Sequence, residues 1–168
     1  MVVAIAHRSQ CIFLHVGEGQ QHAVTTTTLE FVTQVAKVAE CPLFHDTASY
    51  PHSPTANDLM TEFKSRAKHD NRCMLLISGF DLEDQVTVRA LHALLEGFDV
   101  HLLCDMITTS NNRLELFLLL RLFQAGAVPS SLRQFLYMWM TNEADSAVAT
   151  QLSDLYEKCS EVFGARPA

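Results

Sequence analysis

Between Arg72 and Ser131 the chain alternates short apolar runs with helical segments, and this constrains the fold more than any other feature. The run Cys73–Ser78 ends on Gly79, and a helical segment from Leu82 to Leu95 stops at Gly97. A second apolar run, Phe98 to Cys104, ends at Asp105. A second helix, Arg113 to Gln124, stops at Gly126, and an extended piece, Ala127 to Ser131, closes the unit. Strands separated by glycine-stopped helices read as consecutive right-handed βαβ crossovers feeding a parallel sheet. In such sheets the site lies beyond the carboxyl ends of the strands, here around Gly79–Gln85 and Cys104–Thr109.

The flanking sequence fits the same plan. Residues Gln10 to Val16 form a first core strand, and Gly17–Gln21 is the turn leaving it. That glycine pair lacks the Gly-Lys-Ser/Thr of a phosphate loop and the third glycine of a dinucleotide fingerprint. The threonines Thr25–Thr28 supply an N-cap, with Glu30 three residues beyond Thr27, so a capping box opens a helix through Ala39. Leu29, Val32, Val35, Ala36 and Ala39 are its apolar stripe. Cys41–Asp46 is a second strand with Pro42 at its start, where a missing N–H is tolerated. Thr47–Thr55, with Pro51 and Pro54, reads as a loop over the strand ends. A helix from Ala56 to Lys68, with Leu59, Met60 and Phe63 inward, leads to a solvated polar turn, Lys68–Arg72. After Ser131, Leu136, Trp139 and Met140 share one helical face, a spacing that fits core better than a cofactor box. A polar break, Thr141–Asp145, precedes a last helix, Ser146 to Phe163.

At 168 residues, 48% of them hydrophobic and 18% charged, the chain can bury one sizeable core, and residues 1–168 read as a single domain. A net charge of −7 argues against a nucleic-acid partner, which usually leaves a basic footprint. No apolar run reaches the roughly eighteen residues of a membrane span. Met1–Ser9 lacks the basic lead of a signal peptide, so a cytoplasmic location is expected, with a mitochondrial one as the alternative. The five cysteines are odd in number and lack paired spacing, which fits reduced thiols in a reducing compartment.

The stretch from Gly79 through Gln85 and Gly97 to Asp105 resembles the central signature of the isochorismatase-like cysteine hydrolases. That signature is a strand ending in glycine, a nucleophile elbow six residues later, a helix, a glycine, a second strand and an aspartate. The downstream Arg121–Ser131 is similar to the family's next helix and strand, and Tyr50-Pro51 matches a pair in its short eukaryotic members. The resemblance implies a three-layer α/β/α sandwich with a mostly parallel sheet of five or six strands in the order 3-2-1-4-5-6. It also implies a homo-oligomer, with the hydrophobic C-terminal helices as a self-association surface.

The departures carry the functional reading. The family's nucleophilic cysteine falls on Gln85, whose amide has no ionisable nucleophilic atom. The family's aspartate falls on His15 or Val16. Its lysine has no counterpart, since no lysine occurs between Lys37 and Lys64. The expectation is a degenerate family member that acts by binding or assembly, with a small molecule as candidate ligand and no cofactor. The pocket candidates are His15, His45, Asp46, Gln85 and Asp105.

Three placements test that expectation. His15, His45 and Asp46, with His52 on the loop above, could ligate zinc or another divalent metal, giving the alternative of a rebuilt, metal-dependent hydrolase at the strand ends. The clustered metal motif of the nicotinamidase branch is absent, so hydrogen-bonded structural histidines are the plainer reading. Cys104 lies in a strand, where nothing lowers a thiol pKa, and reads as an inert hydrophobe, while Asp105 caps the following turn at the pocket rim. The turn Phe80–Val86 could form an anion-binding nest, but Asp81, Glu83 and Asp84 favour a capped helix instead.

Overall fold

The structure is a computed structural model that describes residues 7–17, 23–46, 61, 64, 65, 68, 72–109 and 112–163. Five strands, β1 (Cys11–Val16), β2 (Leu43–Asp46), β3 (Met74–Phe80), β4 (Asp99–Thr108) and β5 (Val128–Ser130), form one sheet. All its pairings are parallel and the order is β2-β1-β3-β4-β5. This is the expected 3-2-1-4-5-6 order without its outermost strand among the described residues. Among the described residues five helices are complete enough to bound: α1 (Ala23–Val38), α2 (Thr87–Leu95), α3 (Asn112–Ala125), α4 (Leu132–Asn142) and α5 (Ser146–Phe163).

Strand alternation splits the core into two layers. Cys11, Phe13, Leu76 and Leu103 face α1, α4 and α5, where Val32, Val35, Phe135, Trp139 and Leu152 meet them. Ile12, Leu14, Leu75, Ile77 and Leu102 face the opposite way, onto Val86, Ala90 and Ala93 beside α2 and Leu122 of α3. The α4 stripe is core as expected: Leu136 and Trp139 are buried, and Met140 packs against them.

Three local expectations are corrected. The helix α1 begins at Ala23, so Thr27 lies inside it and is no cap. Burial of Val32, Val35 and Ala36 against the sheet outweighs the modest helical cost of threonine. Strand β4 does not stop at Asp105 but runs to Thr108. Ile77 pairs with Leu102 whereas Gly79 pairs with Ile107, so a bulge takes up the polar residue and pairing resumes. Finally, Arg72 is no solvated turn residue. Its guanidinium donates to the carbonyls of Arg8, Cys11 and Glu40 and ties down the amino end of β1. Thr61, Lys64, Ser65 and Lys68 are helical, as the Ala56–Lys68 reading requires. The inward face expected at Leu59, Met60 and Phe63, the Thr47–Thr55 loop and His52 lie outside the described residues.

Candidate functional site at the carboxyl ends of the strands

The carboxyl ends of β1 and β3 approach each other closely. Gly79 has φ +132°, and a Cβ there would stand 1.9 Å from the Val16 carbonyl oxygen. Gly17 has φ +130°, and its Cβ would meet the Phe80 carbonyl at 2.7 Å. Only glycine fits either position, because both the backbone conformation and the space exclude a side chain.

Register then sets the polar side chains. His15 pairs with His45 on one side and Ser78 on the other, so all three project to the α1 face of the sheet. His15 is fully buried; its Nδ1 and the Ser78 hydroxyl are 3.0 Å apart, and its Nε2 has no hydrogen-bond partner among the described residues. The two imidazole rings are 5.4 Å apart at a 50° tilt. His45 Nε2 donates to the Gly17 carbonyl at 3.2 Å, which assigns its proton to Nε2. Burial, helped by the neighbouring His45, pushes the His15 pKa down to about 4, so the ring is neutral at neutral pH. The neutral ring carries its proton on either nitrogen, so Nε2 is an unmatched acceptor where Nδ1 donates to Ser78 and an unmatched donor where Nδ1 accepts from it.

Asp46, one residue beyond His45, projects to the other face. There it forms a buried ion pair with the Arg89 guanidinium of α2. The structure therefore brings His15 and His45 together and separates Asp46 from them, because successive strand residues point to opposite faces. Among the described residues, no group of three or more His, Cys, Asp or Glu side chains could hold a metal ion. His15, His45 and Asp46 therefore do not converge as a ligand set, and His52 lies outside the described residues. Arg89 was not singled out in the sequence, although a signal exists. Val86, Arg89, Ala90 and Ala93 fall at i, i+3, i+4 and i+7, and a charge within an apolar stripe points to a buried partner.

Gln85 lies in a wide turn, Leu82–Val86, closed by the Val86 amide donating to the Asp81 carbonyl at 3.1 Å. The expected continuous helix from Leu82 is thus a π-type turn followed by α2. The Asp81 carboxylate accepts from the Glu83 amide at 3.2 Å, so the turn is capped from within rather than left as an anion nest. The Gln85 side-chain oxygen is buried without a hydrogen-bond partner among the described residues.

Asp105 departs from its expected place. It accepts from the amides of Leu132 at 2.8 Å and Arg133 at 3.2 Å, capping α4 together with Ser131 rather than the turn after β4. Cys104 lies within β4, four residues before its end, half-buried with its thiol 3.5 Å from the Leu102 carbonyl. All five cysteines are free thiols, and burial pushes Cys41 and Cys159 up to about 12. A cleft of about 410 Å³ lies at the amino ends of the strands, lined by Gln10, Lys64, Arg72, Cys73 and Phe98 among others.

No protein-family model matches the sequence, and no curated protein matches it. Solved structures do resemble it. A MAR1 ribonuclease from Caenorhabditis elegans superposes with a TM-score of 0.72 at 15% identity, covering 97% of each chain. The YcaC gene product from Escherichia coli, described as an octameric hydrolase of unknown specificity, gives 0.69 at 17% identity over 95% of this chain and 94% of that one. An isochorismatase from Pseudomonas putida gives 0.52 at 11% identity over 75% of this chain and 90% of that one. The fold is isochorismatase-like. At these identities the likeness speaks for the fold alone, and chemistry must come from the residues. No described helix is long and apolar enough to cross a membrane.

Proposed function

We propose that this chain is a catalytically degenerate isochorismatase-like protein that acts by binding a small molecule and by assembling with copies of itself. The observation that carries this reading is Gln85. An amide occupies the position that the resemblance assigns to the nucleophilic cysteine, and its oxygen is buried without a partner among the described residues. His15, at a position assigned to the aspartate, is neutral and bound to Ser78. A base with a pKa near 4 takes up almost no proton at neutral pH, so it serves poorly in proton transfer.

Two buried polar atoms without a partner among the described residues, the Gln85 Oε1 acceptor and His15 Nε2, suit a small polar ligand such as an amide, since an unmatched buried polar atom is costly until a partner meets it. The metal-dependent alternative finds no support in the ion-paired Asp46. The E. coli YcaC neighbour is an octamer, which favours self-association here. The ribonuclease name belongs to the C. elegans protein, and the −7 charge of this chain offers no basic footprint for RNA.

The test is melting temperature against small amides, carboxylates and divalent metals, with a hydrolysis assay for every compound that binds. A small amide at a hundred times its dissociation constant should add about 2.7 kcal/mol. Gln85→Leu or His15→Phe should abolish that gain, and no compound should turn over. A metal-dependent rise accompanied by hydrolysis, both lost in His15→Ala and His45→Ala, would overturn the proposal in favour of a rebuilt hydrolase.

A further inference from the structure

The resemblance places self-association on the C-terminal helices, yet the structure buries them. The α4 side chains Phe135, Leu136 and Trp139 and the α5 side chains Leu152, Leu155 and Cys159 belong to the core, and of the large hydrophobic side chains described on these two helices Tyr137 and Val162, far apart in sequence, are exposed. The exposed apolar surface lies instead on α3. Leu116, Phe117, Leu120 and Phe123 are 64%, 68%, 47% and 58% exposed, while Leu122 of the same helix is fully buried.

Leu116, Leu120 and Phe123 stand at i, i+4 and i+7 and form a ridge, with Phe117 beside it one turn from Leu120. The outward face carries no acidic residue and no lysine; Arg113, Arg121 and Gln124 complete it, and the single acid of the helix, Glu115, is half-buried. Aromatic residues and arginine without lysine or carboxylates are the composition of an interface core. With an exposed Phe or Leu presenting on the order of 200 Å², the four side chains leave roughly 450 Å² of apolar surface in water, the size of the largest patch on a typical monomer, which is often functional.

We infer that a second copy of this chain covers α3, the two helices crossing about a two-fold axis with each ridge in the other's groove. This rests on the assembly half of the proposed function and assigns it a surface. A helix ridge of this spacing is self-complementary, as an isologous contact requires. Two such faces with their arginine-bearing margins approach the roughly 1,200 Å² at which specific interfaces begin. The chain's own ends leave from elsewhere. Phe163 packs against Phe31, and Arg8 is ion-paired with Glu40 and Glu143, all on the α1 side of the sheet.

The experiment is sedimentation velocity of the full chain over a concentration series, with two variants. The first is Leu116→Gln, Phe117→Gln, Phe123→Gln; the second, a control on the C-terminal helices, is Tyr137→Gln, Val162→Gln. The wild type and the control should sediment as dimers or larger. The α3 variant should sediment as a folded monomer with unchanged circular dichroism, its dissociation constant raised at least about 100-fold because each anchor is lost twice. A monomeric wild type, or an oligomer that survives the α3 changes and dissolves in the control, would overturn the inference. The proposed binding site fails separately: turnover by monomer and oligomer alike would sink that reading and leave the α3 contact standing.

Discussion

The two faces of the sheet treat polar residues and apolar helices in opposite ways. On the α1 face the buried His15 is neutral and hydrogen-bonded with Ser78, beside the half-buried His45 and under helices whose Phe135 and Trp139 are packed away. On the α2 face the buried polar groups are charged, Asp46 against Arg89, and the outermost helix, α3, turns leucine and phenylalanine to solvent. Neighbouring residues on one strand, His45 and Asp46, therefore meet contrasting electrostatic solutions. His15 retains a ring nitrogen without a partner among the described residues, whereas the ion pair sets one charge against the other within the fold.

Substitutions should reveal this contrast, and the largest effect is expected in the α1-face core. Trp139 packs edge-on against Phe13 and tilted against Phe135, so Trp139→Ala should cost about 3–5 kcal/mol in chemical denaturation. Asp46→Ala should cost about as much, roughly 3–5 kcal/mol, because it leaves Arg89 buried and uncompensated. The paired change Asp46→Leu with Arg89→Met should recover most of that loss. If the single change proved harmless, the ion pair would not be the organising contact of its face.

The neutral His15 predicts a pH dependence. The His15 pKa lies near 4 in the fold against an ordinary 6.5, so the unfolded chain takes up a proton that the folded chain refuses. Stability attributable to His15 is complete above pH 6.5 and is lost as pH falls toward 4, by about 3 kcal/mol in all. Burial also lowers the His101 pKa, which adds in the same direction. Unfolding free energies between pH 7 and pH 4 should show this slope, and His15→Gln should flatten it. The smallest effect belongs to the outer helix: Phe123→Ala at low protein concentration should shift stability by less than about 0.5 kcal/mol, despite the same aromatic class as Trp139. A large loss there would mean that the α3 face is already covered within one chain.

The order of elements was legible in the chain because its signals are local. Apolar runs at strand length, helices closed by Gly97 and Gly126, and the Ser146–Phe163 helix all appear where periodicity and glycine place them. The isochorismatase-like signature fixed which loop Gln85 would occupy. What failed locally failed against packing. The threonine run yielded to the burial of Val32 and Val35, the strand through Asp105 continued across a bulge, and Arg72 was drawn inward by three carbonyls.

The candidate site divides in the same way. Sequence alone determined that no thiol stands at the Gln85 position and that histidines end two adjacent strands, since these follow from residue identity and strand phase. Only the tertiary structure decided that His45 joins His15 while Asp46 turns away to Arg89, that Asp105 caps α4, and that α3 rather than α4 or α5 is left apolar in water. The reason is that strand register and helix rotation are set by the summed burial of many distant side chains. The direction in which one side chain points is therefore a property of the whole core rather than of its own neighbours in sequence.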